Sequence, residues 1–462
     1  MYLHTYSLKC LVLIMDSNAA TEVGEMDMIS NLHESILGHM LSFLPTIEAI
    51  RTNVLSKSWI DVWKSIKCLK FDDSLLIHGK KMQKEEFVCF VNTVLFHFAN
   101  STIQGFSLCL TCYNYDSPQV RAWISSVLER GVQKLNIQYA DKVLLSSNSL
   151  FSCISLVELV LQMRCTLNVP ISACLPNLQS LHISGVRLVS DSCTCSNDIS
   201  LSFPVLKVFE ARGCEWSTMQ DISIQAPLLE RLSIKNSLSN EACKSAIKVF
   251  STCLTDFSYE GDLEQEIILF DPSSIRSASI VIVIDEDRMD RIKKLVFQAR
   301  KLLGQIHQVE QLKLLFYKVL INAKGIFNHL PAFGRLTNLQ LNEVTGEALL
   351  HFLHNSPFLD TLVLLNGVCD LNKDVLAAAS VPLCFLSSFR VFQFNGFNVK
   401  EHELCLVKFV LANAAILERV TICTAFWLRY SDIDMGKVKG QILSLPKYSR
   451  SCMIKFCDVN GS

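Results

Sequence analysis

The chain has 462 residues, half of them hydrophobic, and its 43 basic side chains balance 44 acidic ones to a net charge of −1. Without a basic run or a basic excess, the sequence gives no reason to expect nucleic acid or an anionic membrane as a partner. The length allows several domains or one elongated repeat domain, and the hydrophobic content indicates an ordered protein.

Residues 1–25 are predicted to form a flexible extension that is dispensable for function. The apolar run at 8–15 (LKCLVLIM) faintly resembles a signal-peptide core, but its only basic residue lies inside the run and no small-residue cleavage site follows. Met15 is a second candidate for the initiator, and no apolar run reaches the length of a membrane helix. The 19 cysteines are interpreted as reduced, small hydrophobic residues of a cytoplasmic or nuclear protein.

Residues 26–73 predict three short helices. The apolar face of the first helix is formed by Ile36, Leu37, Met40, Leu41 and Leu44. Pro45 is predicted to end it, Thr46 to cap the second helix, and Ser56 to cap a third that carries Trp59 and Trp63. A segment of roughly 40 residues is too small to sustain its own core. It therefore either packs only on the rest of this chain or offers exposed apolar side chains to a partner.

This segment resembles an F-box of the plant type. The residues that carry the resemblance are 29–32, 36–37, 41–46, 49, 51–52, 54–57, 59 and 69–73. The family usually has proline where His33 stands and a basic residue where Ser58 stands. The resemblance implies docking on a Skp-type adaptor, and through it on a cullin. The side chains that would make or support this contact are Ile29, Leu32, Ile36, Leu37, Leu41, Leu44, Pro45, Val54, Leu55, Trp59 and Trp63.

A longer period follows in residues 74–380, where the unit L-x-x-L-x-L recurs. Its central positions include Leu159, Leu181, Phe209, Leu232, Leu339 and Leu362. Successive intervals of 22 to 28 residues between neighbouring copies are typical of leucine-rich repeats. Each unit predicts a short strand with alternate side chains buried, and the strands are expected to stack in parallel over one core. The alternative is an ordinary α/β domain with scattered leucines.

Between the predicted strands, residues 118–129, 287–303 and 347–353 predict helical returns. Gly304 is predicted to end the second of these helices. At the start of the array, Ile66, Leu69 and Phe71 read as a degenerate first repeat. The F-box segment is therefore expected to be rigidly coupled to the repeats.

Residues 381–457 predict a repeat-like strand at 386–397, a helix at 401–413 and a strand at 414–422. This pattern resembles the FBD domain, and residues 458–462 form a tail. The matching residues are Phe394, Gly396, Glu403, Phe409, Leu411, Asn413, Ala414, Leu417, Glu418, Val420 and a late strand at 445–456. We expect the segment to close the open C-terminal edge of the repeats.

The sequence contains no phosphate-binding, dinucleotide-binding, zinc-protease or nucleophile-elbow motif. Short groups of potential metal ligands lack the further ligands that a site needs; they are Cys193 with Cys195, Asp285 with Asp287 and Asp290, and His351 with His354. We therefore predict a non-catalytic chain with no cofactor or metal. Its predicted fold is α/β, with a three-helix F-box, an irregular leucine-rich-repeat solenoid and an FBD-type cap.

The function predicted from this combination is substrate recognition within a Skp–cullin–F-box ubiquitin ligase, with a client protein bound by the repeats. The alternative is a leucine-rich-repeat scaffold or decoy that joins no ligase, for which His33 would be a symptom. A small-molecule sensor is disfavoured, because no cluster of basic residues that could line a ligand pocket is evident. Replacing Leu44 and Pro45 with alanine is predicted to weaken adaptor binding while the fold is retained.

Overall fold

The computed structural model describes residues 29, 32–55, 59, 62–77, 80–99, 101–145, 147–170, 173–190, 198–216, 221–236, 245–283, 292–316, 330–342, 344–369, 371, 376, 379–430 and 433–457. The chain divides into two compact units, residues 1–226 and 227–462, and each is described by itself. The predictions for residues 1–25, Ser56, Cys193, Cys195 and the three aspartates at 285–290 fall outside the described residues.

The first unit contains both helices and strands. Its helices are α1 (Glu34–Leu41), α2 (Thr46–Arg51), α3 (Lys84–His97), α4 (Ser117–Glu129) and α5 (Ser147–Phe151), with 3₁₀ turns at Thr52–Val54 and Val62–Ser65. Its strands are β1 (Cys68–Asp72), β2 (Leu76–Ile77), β3 (Lys80–Lys81), β4 (Gly105–Leu110), β5 (Lys134–Leu145), β6 (Glu158–Val169), β7 (Ala173–Cys174), β8 (Ser180–Ser190), β9 (Ile199–Ser202), β10 (Val208–Arg212) and β11 (Ile222–Gln225).

The strands β1, β4, β5, β6, β8 and β10 form one parallel ladder in that order. Its register places the apolar centre of each strand beside the centre of the next, because Leu135 pairs with Leu159 and Leu159 with Leu181, which in turn pairs with Phe209. All four side chains are buried. The leucine-rich period thus produces the expected stack of strands over a continuous core.

A second ladder in this unit is absent from the sequence predictions. The short strands β7, β9 and β11 pair in parallel and alternate with the longer strands along the chain. Ile199 and Leu201 point into the core from β9, as do Ile222 and Ile224 from β11. Part of the return path is therefore made of strands, for which the sequence predicted no structure.

Helix α3 lies in the range 74–380, where the sequence predicted repeats and did not predict this helix. Its start has a capping box, because the Glu86 carboxylate accepts the backbone N–H of Gln83 at 3.0 Å. The buried residues Phe87, Phe90 and Val94 recur at helical spacing and face the core.

The N-terminal helices are joined to the first strand by a part-buried hydrogen bond. The prediction that Thr46 caps α2 is wrong, because Thr46 is the first residue of the helix. Pro45 occupies the cap position and makes no capping bond. The Thr46 hydroxyl instead accepts the backbone N–H of Lys70 in β1 at 2.7 Å. Since β1 pairs with β4, this bond connects the helices to the ladder.

We expect Thr46→Val to destabilise this junction by about 1–2 kcal/mol, because the Lys70 N–H would lose its acceptor at a part-buried site. Faster hydrogen exchange at Lys70 and a lower urea midpoint would report the loss. Thr46→Ser keeps the hydroxyl and is the matched control. Equal exchange rates in the valine and serine variants would contradict this role for the hydroxyl.

The second unit also contains both helices and strands. Its helices are α6 (Ile292–Gln305), α7 (Gly346–Asn355), α8 (Leu383–Ser387), α9 (Glu401–Asn413) and α10 (Met435–Leu443), with 3₁₀ turns at Pro272–Ser274 and Phe426–Tyr430. Its strands are β12 (Arg231–Lys235), β13 (Ala246–Phe250), β14 (Asp256–Gly261), β15 (Glu266–Phe270), β16 (Ser277–Ile282), β17 (Gln311–Phe316), β18 (Asn338–Asn342), β19 (Val344–Thr345), β20 (Thr361–Leu364), β21 (Val368–Cys369), β22 (Val391–Phe397), β23 (Arg419–Thr424) and β24 (Met453–Cys457).

The main ladder of this unit runs β12, β14, β16, β17, β18, β20, β22, β23, β24, with all neighbours parallel. Leu339 pairs with Leu362, which pairs with Phe392, and Phe392 pairs with Val420. The residues predicted to belong to the repeats and those predicted to belong to the FBD segment therefore continue one register.

Three predicted boundaries in this unit are wrong. Helix α6 continues through Gly304 to Gln305, so that glycine does not end it. Residues 383–387 form a helix, and the strand predicted from 386 begins at Val391. The strand predicted from 414 begins at Arg419, because the Ala414 N–H still donates to the Val410 carbonyl at the end of α9.

Candidate functional site

Helix α1 carries two apolar stripes, and only one of them faces the protein. Leu37 and Leu41, four residues apart, are buried, and Gly38 lies between them where α1 approaches Ser65 closely. Ile36 and Met40, also four residues apart, are exposed. The sequence predicted a single face for these residues. The split leaves a row of apolar side chains in solvent after the helix has made its internal contacts.

The eleven side chains predicted for the adaptor contact fall into two groups. The exposed or partly exposed ones are Ile29, Leu32, Ile36, Leu44, Pro45, Val54 and Leu55. The buried ones are Leu37, Leu41, Trp59 and Trp63. The second group can support the segment from within, but in this conformation it offers no surface to a partner.

Two exposed residues were missed by the site prediction. Phe43 has 71% of its surface exposed and Met40 44%, so both contribute as much free apolar surface as the predicted Leu44 at 38%. Phe43 lies in the apolar run that follows α1, and its ring packs edge-on against His39 with centroids 5.1 Å apart. We define the exposed apolar set as Ile29, Leu32, Ile36, Met40, Phe43, Leu44, Val54 and Leu55.

His33 holds the start of α1 in place of the family's proline. Its backbone angles are φ −60° and ψ 141°, which a proline also adopts, and its Nδ1 accepts the backbone N–H of Ser35 at 3.3 Å. The substitution therefore exchanges a fixed backbone angle for a side-chain cap. The start of the helix keeps its geometry.

Trp63 ties the 3₁₀ turn below this surface to α3. Its ring stacks on His97 with centroids 5.6 Å apart and packs obliquely on Phe98 at 5.9 Å. Together with the Thr46–Lys70 bond, this contact fixes the helices that carry the exposed apolar set. A surface held in this way binds without a large ordering cost.

Within the described residues, no three potential ligands come together in a way that could hold a metal ion. The Nε2 atom of His351 lies 4.0 Å from Oε1 of Glu347, one turn away on α7. The pKa of His354 is lowered mainly by burial and further by the neighbouring His351. None of the described helices is both long and apolar enough to cross a membrane.

Several cysteine thiols are buried in apolar surroundings, as the interpretation of reduced, hydrophobic cysteines requires. Burial raises the pKa of Cys165 and of Cys384 to about 12, and that of Cys214 to about 11, from 9.0. The thiolate is the reactive form, so these thiols are inert at neutral pH. Cys174 and Cys457 are exposed.

These raised pKa values predict a loss of stability in alkaline solution. Below pH 9 both states keep these thiols protonated; above it the unfolded chain loses protons first, and stability falls until the folded values of about 11 to 12 are reached. We expect the urea midpoint to drop between about pH 8 and about pH 10.5. The drop should be smaller in the variant carrying Cys165→Ala, Cys214→Ala and Cys384→Ala, and an equal drop would contradict the assignment.

The ladders and helices define a mixed α/β protein with parallel strands, preceded by a short helical segment that exposes apolar side chains. The family model of the FBD domain matches residues 378–422, which include α8, β22, α9 and the first part of β23. This match overlaps the first part of the segment 381–457, in which the sequence pattern indicated an FBD domain.

Curated relatives are similar along most of the chain. An F-box/FBD/LRR-repeat protein of Arabidopsis thaliana is 28% identical over 445 residues, which cover 93% of this chain and 94% of the relative. An FBD-associated F-box protein of the same plant is 28% identical over 86% of this chain and 92% of its own. A putative F-box/FBD/LRR-repeat protein, also from Arabidopsis, is 29% identical, covering 94% and 90%. The resemblance to plant F-box/leucine-rich-repeat/FBD proteins is thereby confirmed.

Proposed function

We propose that this protein is the substrate-recognition subunit of a Skp–cullin–F-box ubiquitin ligase and is not itself catalytic. The observation that carries the proposal is the exposed apolar set between residues 29 and 55, on helices that are otherwise firmly packed. A row of free apolar side chains on a small helical segment is the kind of surface that a partner helix covers. In this proposal that partner is a Skp-type adaptor, which connects the chain to a cullin.

In the same proposal, the helical segment at 26–73 is the F-box, the parallel ladders are a leucine-rich-repeat solenoid, and the FBD segment closes its C-terminal edge. The continuous register from Leu362 through Phe392 to Val420 supports a closing role, because a cap must share the register of the repeat it covers. The repeats bind an as yet unidentified client protein. The proposed compartment is the cytoplasm, the nucleus or both.

Co-elution tests the first step of this proposal. The full-length chain, mixed with a plant Skp-type adaptor, should elute from a sizing column as a complex, and a cullin should join it. A chain that elutes alone at micromolar concentration would contradict adaptor docking. That outcome would favour the alternative of a repeat scaffold or decoy, for which the His33 geometry gives no support, since the helix start is intact.

A further inference from the structure

An open cleft lies at the carboxyl ends of four neighbouring parallel strands in the second unit. The strands are β20, β22, β23 and β24, and the cleft has a volume of about 920 Å³. This is within the usual range for binding sites, which is about 300–1,000 Å³. The C-terminal ends of parallel strands are a common place for ligands in α/β proteins, since loops of several strands converge there.

Two aromatic rings form one wall of this cleft. Phe426 and Trp427 lie on the 3₁₀ turn after β23 and have 56% and 51% of their surfaces exposed. Trp427 is held in place, because its indole N–H donates to the Asn398 side-chain oxygen at 2.9 Å. A fixed, half-exposed tryptophan gives an occupant contact area at little entropic cost.

The loop that holds Asn398 is strained and braced from below. Val399 has a φ of +61° although it is not a glycine, and Gly396 has a φ of +65°. The Glu403 carboxylate, fully buried, accepts the backbone N–H of Asn398 at 2.7 Å and its side-chain N–H at 3.3 Å. Asn398 also donates to the Gly396 carbonyl at 2.8 Å. Strained backbone that the surroundings hold in place is typical of functional sites.

The remaining lining is uncharged and rich in amides. None of the thirteen described residues that line the cleft carries a formal charge, and four of them are carboxamides: Asn366, Gln393, Asn395 and Asn398. A carboxamide offers one donor group and one acceptor group, as a peptide unit does. An ionised ligand would lose water here and find no opposite charge in the lining.

We propose that this cleft binds an uncharged peptide segment of the client protein, with an apolar or aromatic side chain packed on Trp427. The peptide backbone is hydrogen-bonded by the carboxamides of Asn366, Gln393 and Asn395, because that of Asn398 already bonds within the protein. The proposal deepens the proposed function and rests on it for the identity of the occupant as a client. Because both rings face solvent, an extended segment can cover them from outside.

Random peptides displayed on phage and selected on the immobilised full-length chain test the proposal. We expect the enriched peptides to be poor in Asp, Glu, Lys and Arg and to contain an aromatic or long aliphatic residue. Synthetic copies should bind Trp427→Ala at least about tenfold more weakly than the wild type in a fluorescence-polarisation titration. Trp427→Phe keeps a ring but loses the bond to Asn398, so its peptide affinity should lie between those of the wild type and Trp427→Ala.

Phe297→Ala is the matched control, because Phe297 is similarly exposed on α6 of the same unit and does not line the cleft. This variant should bind the peptides as the wild type does. The proposal would be overturned if wild type and Trp427→Ala bound the peptides equally. It would also be overturned if the enriched peptides were charged or if no peptide were enriched. Trp427-dependent binding of a neutral oligosaccharide in place of peptides would also overturn it. Trp427→Ala should still co-elute with the adaptor, so a failure of the ligase proposal and a failure at this cleft are distinguishable.

Discussion

Replacing Leu44 and Pro45 together with alanine should reduce affinity for a Skp-type adaptor by about 100-fold, while the chain stays folded. Leu44 has 38% of its surface exposed and Pro45 is partly exposed, so both side chains are accessible to a partner. Apolar interface residues that matter commonly contribute about 1–2 kcal/mol each. A joint loss of about 2.8 kcal/mol corresponds to a factor of 100, because about 1.4 kcal/mol corresponds to a factor of ten. Titration of labelled adaptor against the purified variant measures the change.

Phe43→Ala tests the same surface at the residue that sequence reasoning missed, and we expect a loss of at least about tenfold there. Ile154→Ala is the control, because Ile154 is about as exposed as Phe43 but lies outside the exposed apolar set. Unchanged adaptor binding by both the Leu44/Pro45 variant and Phe43→Ala would remove the basis for assigning this surface to the adaptor.

The second large effect is expected at Glu403, where alanine should destabilise the C-terminal segment by about 1–3 kcal/mol, because the amide donors that bind its carboxylate would lose their acceptor. The fully buried carboxylate of this residue accepts N–H groups from Asn398 and, at 3.4 Å, from Lys400. Without it these part-buried donors would lose their acceptor. Gly367 shows how tightly the group is enclosed, because a Cβ at that position would lie 2.9 Å from the Glu403 carboxylate.

Urea unfolding and hydrogen exchange of the Asn398 and Lys400 amides measure this effect. Glu401→Ala is the matched control, since Glu401 lies two residues away on the same helix and is exposed. Glu403→Gln should fall between the two because it keeps the shape and one acceptor oxygen. An alanine variant at 403 no less stable than the one at 401 would show that the buried carboxylate does not support the loop.

The ladder was predictable because one physical requirement repeats in every unit. A central strand residue such as Leu159 or Leu362 must face the core beside the equivalent residue of the neighbouring strand. The spacing of the leucines along the sequence therefore predicts which residues of neighbouring strands pair. The short strand β9 escaped prediction because an alternation of two buried residues, Ile199 and Leu201, is too brief to separate from a loop. Thr46 was misplaced because a hydroxyl before a helix usually caps it; here Lys70 competes for it.

The exposed apolar set was predictable in part. The sequence identifies which residues of α1 are apolar, but the choice between Leu37 as buried and Ile36 as exposed depends on where Ser65 and the 3₁₀ turn approach the helix. The cleft could not be predicted from the sequence. Asn366 and Cys457 line it from positions far apart along the chain, and Trp427 alone forms no pattern.

The order of the strands also has a consequence for biosynthesis. In each unit, a strand of the main ladder pairs with the ladder strands immediately before and after it along the chain, as β8 does with β6 and β10. A nascent chain leaving the ribosome can therefore add each strand to an already formed edge without waiting for distant segments. Ribosomes stalled partway through either ladder should carry protease-resistant fragments that lengthen strand by strand.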